Sequence, residues 1–268
     1  MIEWLAPPLY LVAAVLVAAG LYRQQRAVTG AGIGLGVVAA AIHGLVIVNQ
    51  IAALGGLDAN FYSTLSLVSL VVVVLLLLSA LRFPVTEICI LAFPGAALVV
   101  VLKLLMAPEP RTLELGAPLL EVHVLSSLLA YGVLGIAAIN AVLIAVQDSV
   151  LRRHRGVGLL NVLPPLTAME RLLFQLLWTG WLILTVSLLT GLVFLDDLFA
   201  QHLAHKTTLS IASWLVFGLL LAGRWRFGWR GVRVVRLTLI GMAILILAYF
   251  GSKAVLELIL DRTWHAAP

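Results

Sequence analysis

The sequence predicts an all-α fold, a polytopic integral membrane helical bundle of about eight transmembrane helices with both termini outside. Three observations carry this. The chain is 63% hydrophobic and only 11% charged, with a mean hydropathy of +1.14. Apolar runs of about 18 or more residues recur along its whole length. Its basic residues fall on alternate loops. Backbone groups in hydrocarbon must be satisfied internally, which favours helices, and the short alternating segments of a β-barrel are not seen. Residues 1–268 read as a single transmembrane domain without internal repeats.

The first span, Trp4–Leu21, has no basic region before it and is expected to be a retained helix rather than a signal peptide. The second, Gly32–Ala53, carries His43 near mid-depth. The third and fourth are Phe61–Leu81 and Glu87–Met106, punctuated by Pro84 and Pro94. Cys89 is the single cysteine, so dithiol chemistry and covalent haem attachment are not expected, and it reads as packing. Pro108, Pro110 and Pro118 mark the loop before the fifth span, Leu119–Val146. The segment GVGLLNVLPPLTAME is too broken by Pro164 and Pro165 to cross, and is expected to lie along the cytoplasmic interface. Leu172–Leu195, Lys206–Gly223 and Val235–Leu258 complete the set.

Charge orients the bundle. With the N-terminus outside, the cytoplasmic loops collect Arg23, Arg26, Arg82, Arg152, Arg153, Arg155, Arg171 and the arginines of RWRFGWRGVRVVR. The opposite side holds mostly acids, among them Glu3, Asp58, Glu109, Glu114, Glu121, Asp196, Asp197 and Asp261. The net charge of +5 therefore reflects topology, and no nucleic-acid partner is expected.

Ionisable groups within spans are costly and are functional candidates. His123 opens the fifth span and His205 precedes the seventh, both on the outer side. His43, Lys103 and Lys253 fall in outer halves. Two histidines from different helices at similar depth suit axial ligation of a haem iron, and Lys206 or Arg111 would meet the propionates. Any one histidine taken alone reads as a helix cap or a bond to a neighbouring helix; it is His123 and His205 together that read as ligands. His202, His154 and His265 read as solvated, and Asp196 and Asp197 as a hydrated connector. No local His/Cys cluster supplies a zinc site.

Four stretches carry a family resemblance: HVLSSLLAYGVLGIAAINAVLIAVQ from His123, LPPLTAMERLLFQLLWTGWLILTVSLLTG from Leu163, HKTTLSIASWLVFGLLLAGRWRFGWRG from His205, and NFYSTLSLVSL from Asn60. The chain resembles the cytochrome c assembly superfamily of membrane haem-handling proteins (CcsA/CcmC-like), and most closely its HemX/YpjD-type branch. The resemblance implies that His123 is an external haem ligand and that His43 is the intramembrane family histidine. His205 matches the HKT of that branch. Two features depart from the pattern. The connector after Gly191 reads LVFLDDLFAQHLA and lacks the tryptophan-rich segment that presents haem for attachment in CcsA-type members. The second transmembrane histidine of those members would fall near Ala222.

The expectation is a protein of the bacterial inner membrane that binds or handles haem b near its periplasmic face, as an accessory to cytochrome c maturation or haem homeostasis. Haem would sit between helices two, five and seven. His123 and His205 would be iron ligands, Lys206 would lie near a propionate, and His43 would be a deeper relay ligand or a polar contact between helices. No side chain is assigned a catalytic role. Partners would be haem, the lipid bilayer and other cytochrome c assembly proteins. Alternatives are a quinol–haem oxidoreductase using His43 and Lys253, or a haem-free membrane partner or transporter that keeps the fold.

Overall fold

The computed structural model describes residues 2–83, 85–113, 116–153, 162–194 and 201–251, with the backbone alone at 153, 194 and 201–204. Its helices are α1 (Ala6–Tyr22), α2 (Arg26–Leu54), α3 (Phe61–Ala80), α4 (Cys89–Met106), α5 (Pro118–Arg153), α6 (Leu166–Phe194), α7 (Gln201–Phe227) and α8 (Val232–Ile246), the last running into a π turn at Leu247–Gly251. Among the described residues, 8 helices are long and apolar enough to cross a membrane.

Several helices outrun their expected spans. α2 begins at Arg26 rather than Gly32, and α5 runs on to Arg153. Hydropathy marks only the part of a helix inside hydrocarbon, whereas backbone bonding continues into the polar layer. For the same reason α6 begins at Leu166, so the end of the expected interfacial segment is already its first turn. α7 begins at Gln201, which puts His202 on a helix instead of in the connector. Lys253, His154, His265, Glu114, Asp196, Asp197 and Asp261 lie outside the described residues.

The helices pack as two groups. α1 lies along α2 and α4, and α3 against α4; α5 lies along α6 and α8, and α7 against α8 and α6. α3 joins the groups by packing on both α2 and α5. With no hydrophobic driving force between helices in lipid, close approach and polar contacts hold such groups together. At Gly32 a Cβ would lie 2.8 Å from Val17, so glycine lets α2 lie directly on α1. Asn140 Nδ2 donates to the Met169 carbonyl at 3.0 Å, tying α5 to α6, and Ser213 Oγ donates to the Gly241 carbonyl at 2.8 Å, tying α7 to α8. α6 and α7 share a tryptophan pair. Trp181 and Trp214 stack at 5.3 Å. Trp181 Nε1 donates to the Trp214 carbonyl at 3.1 Å, and Trp214 Nε1 to Thr185 Oγ1 at 2.8 Å.

One end of the bundle carries a small antiparallel ribbon, β1 (Leu57–Asp58) paired with β2 (Thr112–Leu113). Asp58 organises it. Its Oδ2 accepts from Gln50 Nε2 at 2.9 Å, Asn60 Nδ2 at 2.8 Å and Ser63 Oγ at 2.7 Å. Its Oδ1 accepts from the backbone of Arg111 at 3.0 Å and of Asn60 at 3.2 Å. Lys103 Nζ donates to Gln50 Oε1 at 2.7 Å, which extends the network to α4. Asn60 caps α3 by accepting from the Ser63 amide at 2.8 Å. Helix alternation places this ribbon end with His123 and His205, opposite an end rich in arginine.

Two stability predictions follow from these contacts. Trp214→Ala removes the stack and a hydrogen bond, and should cost about 2 kcal/mol in detergent unfolding. Trp214→Phe keeps much of the packing and should cost about 1 kcal/mol or less. Asp58→Ala strands several donors at once and should cost about 2–4 kcal/mol. Glu109→Ala, at an exposed acid of the same end, should leave the melting temperature within about 1 °C. Equal losses for the two acids would place the effect in general charge rather than in the network.

Candidate haem-handling site

Three histidines were singled out from the sequence, and the fold treats each differently. His123 lies in the second turn of α5, half-buried against α6. Its Nδ1 is 2.8 Å from the Ser187 carbonyl oxygen. A carbonyl only accepts, so Nδ1 carries the proton and donates. Nε2 is then the nitrogen left for a ligand, and the described residues offer it no partner. A ring nitrogen donating to a carbonyl while the other stays open is the arrangement that holds a metal-ligating imidazole in one tautomer and one orientation.

Small and hydroxylic residues build this seat. Ser127 Oγ donates to the His123 carbonyl at 2.6 Å and shares a hydrogen bond with Ser187 Oγ at 2.7 Å. Thr190 Oγ1 donates to the Ser187 carbonyl at 3.0 Å, beside the imidazole. Gly191 faces the ring directly: a Cβ there would lie 2.9 Å from His123 Cε1. The part played by Ser187 and Gly191 was not read from the sequence. They sit 64 and 68 residues after His123, and only the α5–α6 packing brings them to it.

His205 lies in the second turn of α7 with its side chain exposed, and its backbone carbonyl accepts from Thr208 Oγ1 at 3.2 Å. Lys206 beside it is half-buried, with Nζ 5.9 Å from the Tyr249 ring centroid. Tyr249 belongs to the π turn after α8, and its hydroxyl lies 3.5 Å from Thr64 Oγ1 of α3. Tyr131 of α5 meets Tyr249 and Phe250 at 6.4 and 6.0 Å, and its hydroxyl donates to the Leu245 carbonyl. Lys206 is thus linked through aromatic rings to α3, α5 and α8. π turns inside helices recur at functional sites. Arg111 lies at this same end beside the ribbon, its backbone paired with Asp58 and Ala59.

His43 is placed otherwise. It is 3% exposed. Its Nε2 meets Ser66 Oγ at 2.8 Å and its Nδ1 meets Tyr10 Oη at 3.4 Å. The ring thereby joins α1, α2 and α3, and both nitrogens are engaged. Of the two roles expected for His43, this geometry suits the polar contact between helices; binding iron would require breaking the bond to Ser66. The slot expected between helices two, five and seven is not one interface, because α3 packs on both α2 and α5 and His43 is turned toward α3 and α1. Among the described residues, no three His, Cys, Asp or Glu side chains converge on a metal site.

Comparison with known proteins places this arrangement in a family. The chain is 32% identical over 252 residues to the inner membrane protein YpjD of Escherichia coli (strain K12), covering 93% of this chain and 95% of that one. It is 35% identical over 158 residues, 58% of each chain, to a 28.8 kDa protein of Azospirillum brasilense. A shorter stretch of 85 residues is 28% identical to the cytochrome c biogenesis protein CcsA of Prochlorococcus marinus, covering 31% of this chain and 27% of that one. No solved structure matches. The family model described as cytochrome C assembly protein matches residues 33–260, which take in all of α3 to α8 and the seats of His43, His123 and His205. This membrane chain, with eight membrane-length apolar helices among its described residues, belongs to the cytochrome c assembly protein family.

Proposed function

We propose that the protein binds haem b at its ribbon end and hands it on or stores it, as an accessory to cytochrome c maturation or haem homeostasis in a bacterial inner membrane. The observation that carries this reading is the seat of His123, with Nδ1 committed to the Ser187 carbonyl and Nε2 without a partner among the described residues. His205, whose side chain α7 leaves exposed, would be the second residue to hold the iron. Lys206 supplies positive charge beside it for a propionate. Haem held by these two imidazoles would supply electron transfer, relay or storage rather than oxygen chemistry. The work of the chain is then to bind and orient. The Ser187 carbonyl holds the ring of His123, the Ser127–Ser187 hydroxyl pair ties α5 to α6 beside it, Gly191 leaves room for it, and the Tyr131–Tyr249–Phe250 cluster braces the helix ends around Lys206. His43 is proposed to hold α1, α2 and α3 together beneath the site. The chain's termini and this end of the bundle would face the periplasm, since the arginines gather at the other end.

A visible spectrum of the detergent-purified protein tests the reading. The wild type is expected to show a Soret band and sharp reduced α and β bands, which His123→Ala and His205→Ala should each abolish or shift. Gly191→Ala pushes a methyl into the His123 ring and should weaken hemin binding by about ten-fold or more, with unfolding little changed. His43→Gln should leave the spectrum in place and lower the melting temperature. Absence of a Soret band in the wild type, even after hemin is added, would overturn the proposal.

A further inference from the structure

The arginine end of the bundle carries a separate site. Thr167, Arg171, Phe174 and Trp178 recur at spacings of three and four along α6 and so form one stripe. The turn between α7 and α8 closes over the start of that stripe. The Glu170 carboxylate accepts from the Gly231 amide at 2.9 Å, which holds the turn against α6. Arg224 donates to the Trp229 carbonyl at 3.2 Å and lies 4.7 Å over the Phe174 ring. Between them runs an open groove of about 670 Å³.

Charge and polarity change along its length. Arg171 and Arg230 stand at the mouth, both exposed, and neither has a hydrogen bond or ion pair among the described residues. Glu170, the groove's carboxylate, is turned to the Gly231 amide instead. Further along α6 come Phe174 and Trp178, the latter 47% exposed. Trp178 is seven residues beyond Arg171, about 10 Å along the helix toward the bilayer centre. An occupant therefore meets the guanidinium groups of Arg171 and Arg230 at the membrane surface, that of Arg224 over Phe174, and an aromatic wall below them. A soluble phosphate ester would use the guanidinium groups and leave the aromatic wall facing hydrocarbon. Arg82, Arg226 and Arg236 serve topology equally well but do not line this groove.

We infer that the groove binds an anionic phospholipid, its phosphate between Arg171 and Arg230 and an acyl chain along Phe174 and Trp178. Guanidinium groups suit phosphate through bidentate geometry, and basic pockets between helices at a membrane surface select anionic headgroups. The assignment is independent of haem.

Native mass spectrometry of the full chain tests it, after delipidation and addition of phosphatidylglycerol or phosphatidylcholine at equal dose. Phosphatidylglycerol should be retained in preference. Arginines at a lipid surface contribute roughly five-fold each, so Arg171→Gln with Arg230→Gln should weaken retention about 25-fold. Trp178→Ala, which leaves the charge intact, should also lower it. Arg82→Gln should not. Equal retention of the two lipids would overturn the inference. So would a loss on Arg82→Gln matching that of the double variant, which would indicate general surface charge, or unchanged retention in Trp178→Ala. Displacement of the lipid by millimolar inorganic phosphate would make this a soluble-phosphate site instead.

Discussion

Inside hydrocarbon a polar group finds its partner in the protein or finds none, and the placement of polar side chains in this bundle follows from that constraint. Backbone groups meet it by forming helices. Side chains meet it across helix pairs, as Asn140 does at Met169, Ser213 at Gly241, and the Trp181–Trp214 pair between α6 and α7. Remove water, and each such contact becomes both glue and register, since sliding one helix by a turn would strand its partner. Three buried oxygens, on Glu87, Asn140 and Gln147, have no such partner in the described structure. Asn140 and Gln147 still donate through their amide nitrogens, to Met169 and Pro164.

The same constraint sorts the histidines. His43 is buried, and both of its nitrogens are met by hydroxyls from neighbouring helices. His123 sits at a helix end, where one nitrogen is met by a carbonyl and the other has no partner among the described residues. A histidine fully satisfied by its own protein ties helices together; one satisfied on one side only has capacity for a ligand. The difference arises from depth and from what the facing helix presents, and the identity of the residue says nothing about it. The two ends of the molecule follow a related logic. At the ribbon end Asp58 gathers donors from α2, α3 and the Arg111 backbone just before β2 into a network. At the arginine end the guanidinium groups of Arg171 and Arg230 meet no carboxylate among the described residues.

Much of the fold was legible in the sequence because the physical signal is local. Eight apolar runs are long enough to cross a bilayer, and arginine falls on alternate loops. Neither statement requires knowing which helix touches which. Helix ends were less legible, as at Arg26, Leu166 and Gln201, because hydropathy fades at the membrane surface while the backbone ladder continues. The ribbon at Leu57 and Thr112 left no sequence signal, since two residues are too few for an alternation pattern and their pairing spans the whole of α3 and α4.

The candidate site divides in the same way. By itself the sequence determined that this is a multi-helix membrane chain with a few ionisable residues, and that His123 and His205 sit at helix ends on one side while His43 lies mid-span. The family stretches from Asn60 to the last arginine-rich loop were legible as well. Tertiary structure alone decided that His123 faces Ser187 and Gly191, that His43 is spent on Tyr10 and Ser66, and that Arg171 and Arg230 converge over one groove. The reason is physical. Span length and charge bias are properties of one segment in its solvent, whereas a ring's tautomer, a glycine's neighbour and a groove's lining depend on which helices pack together.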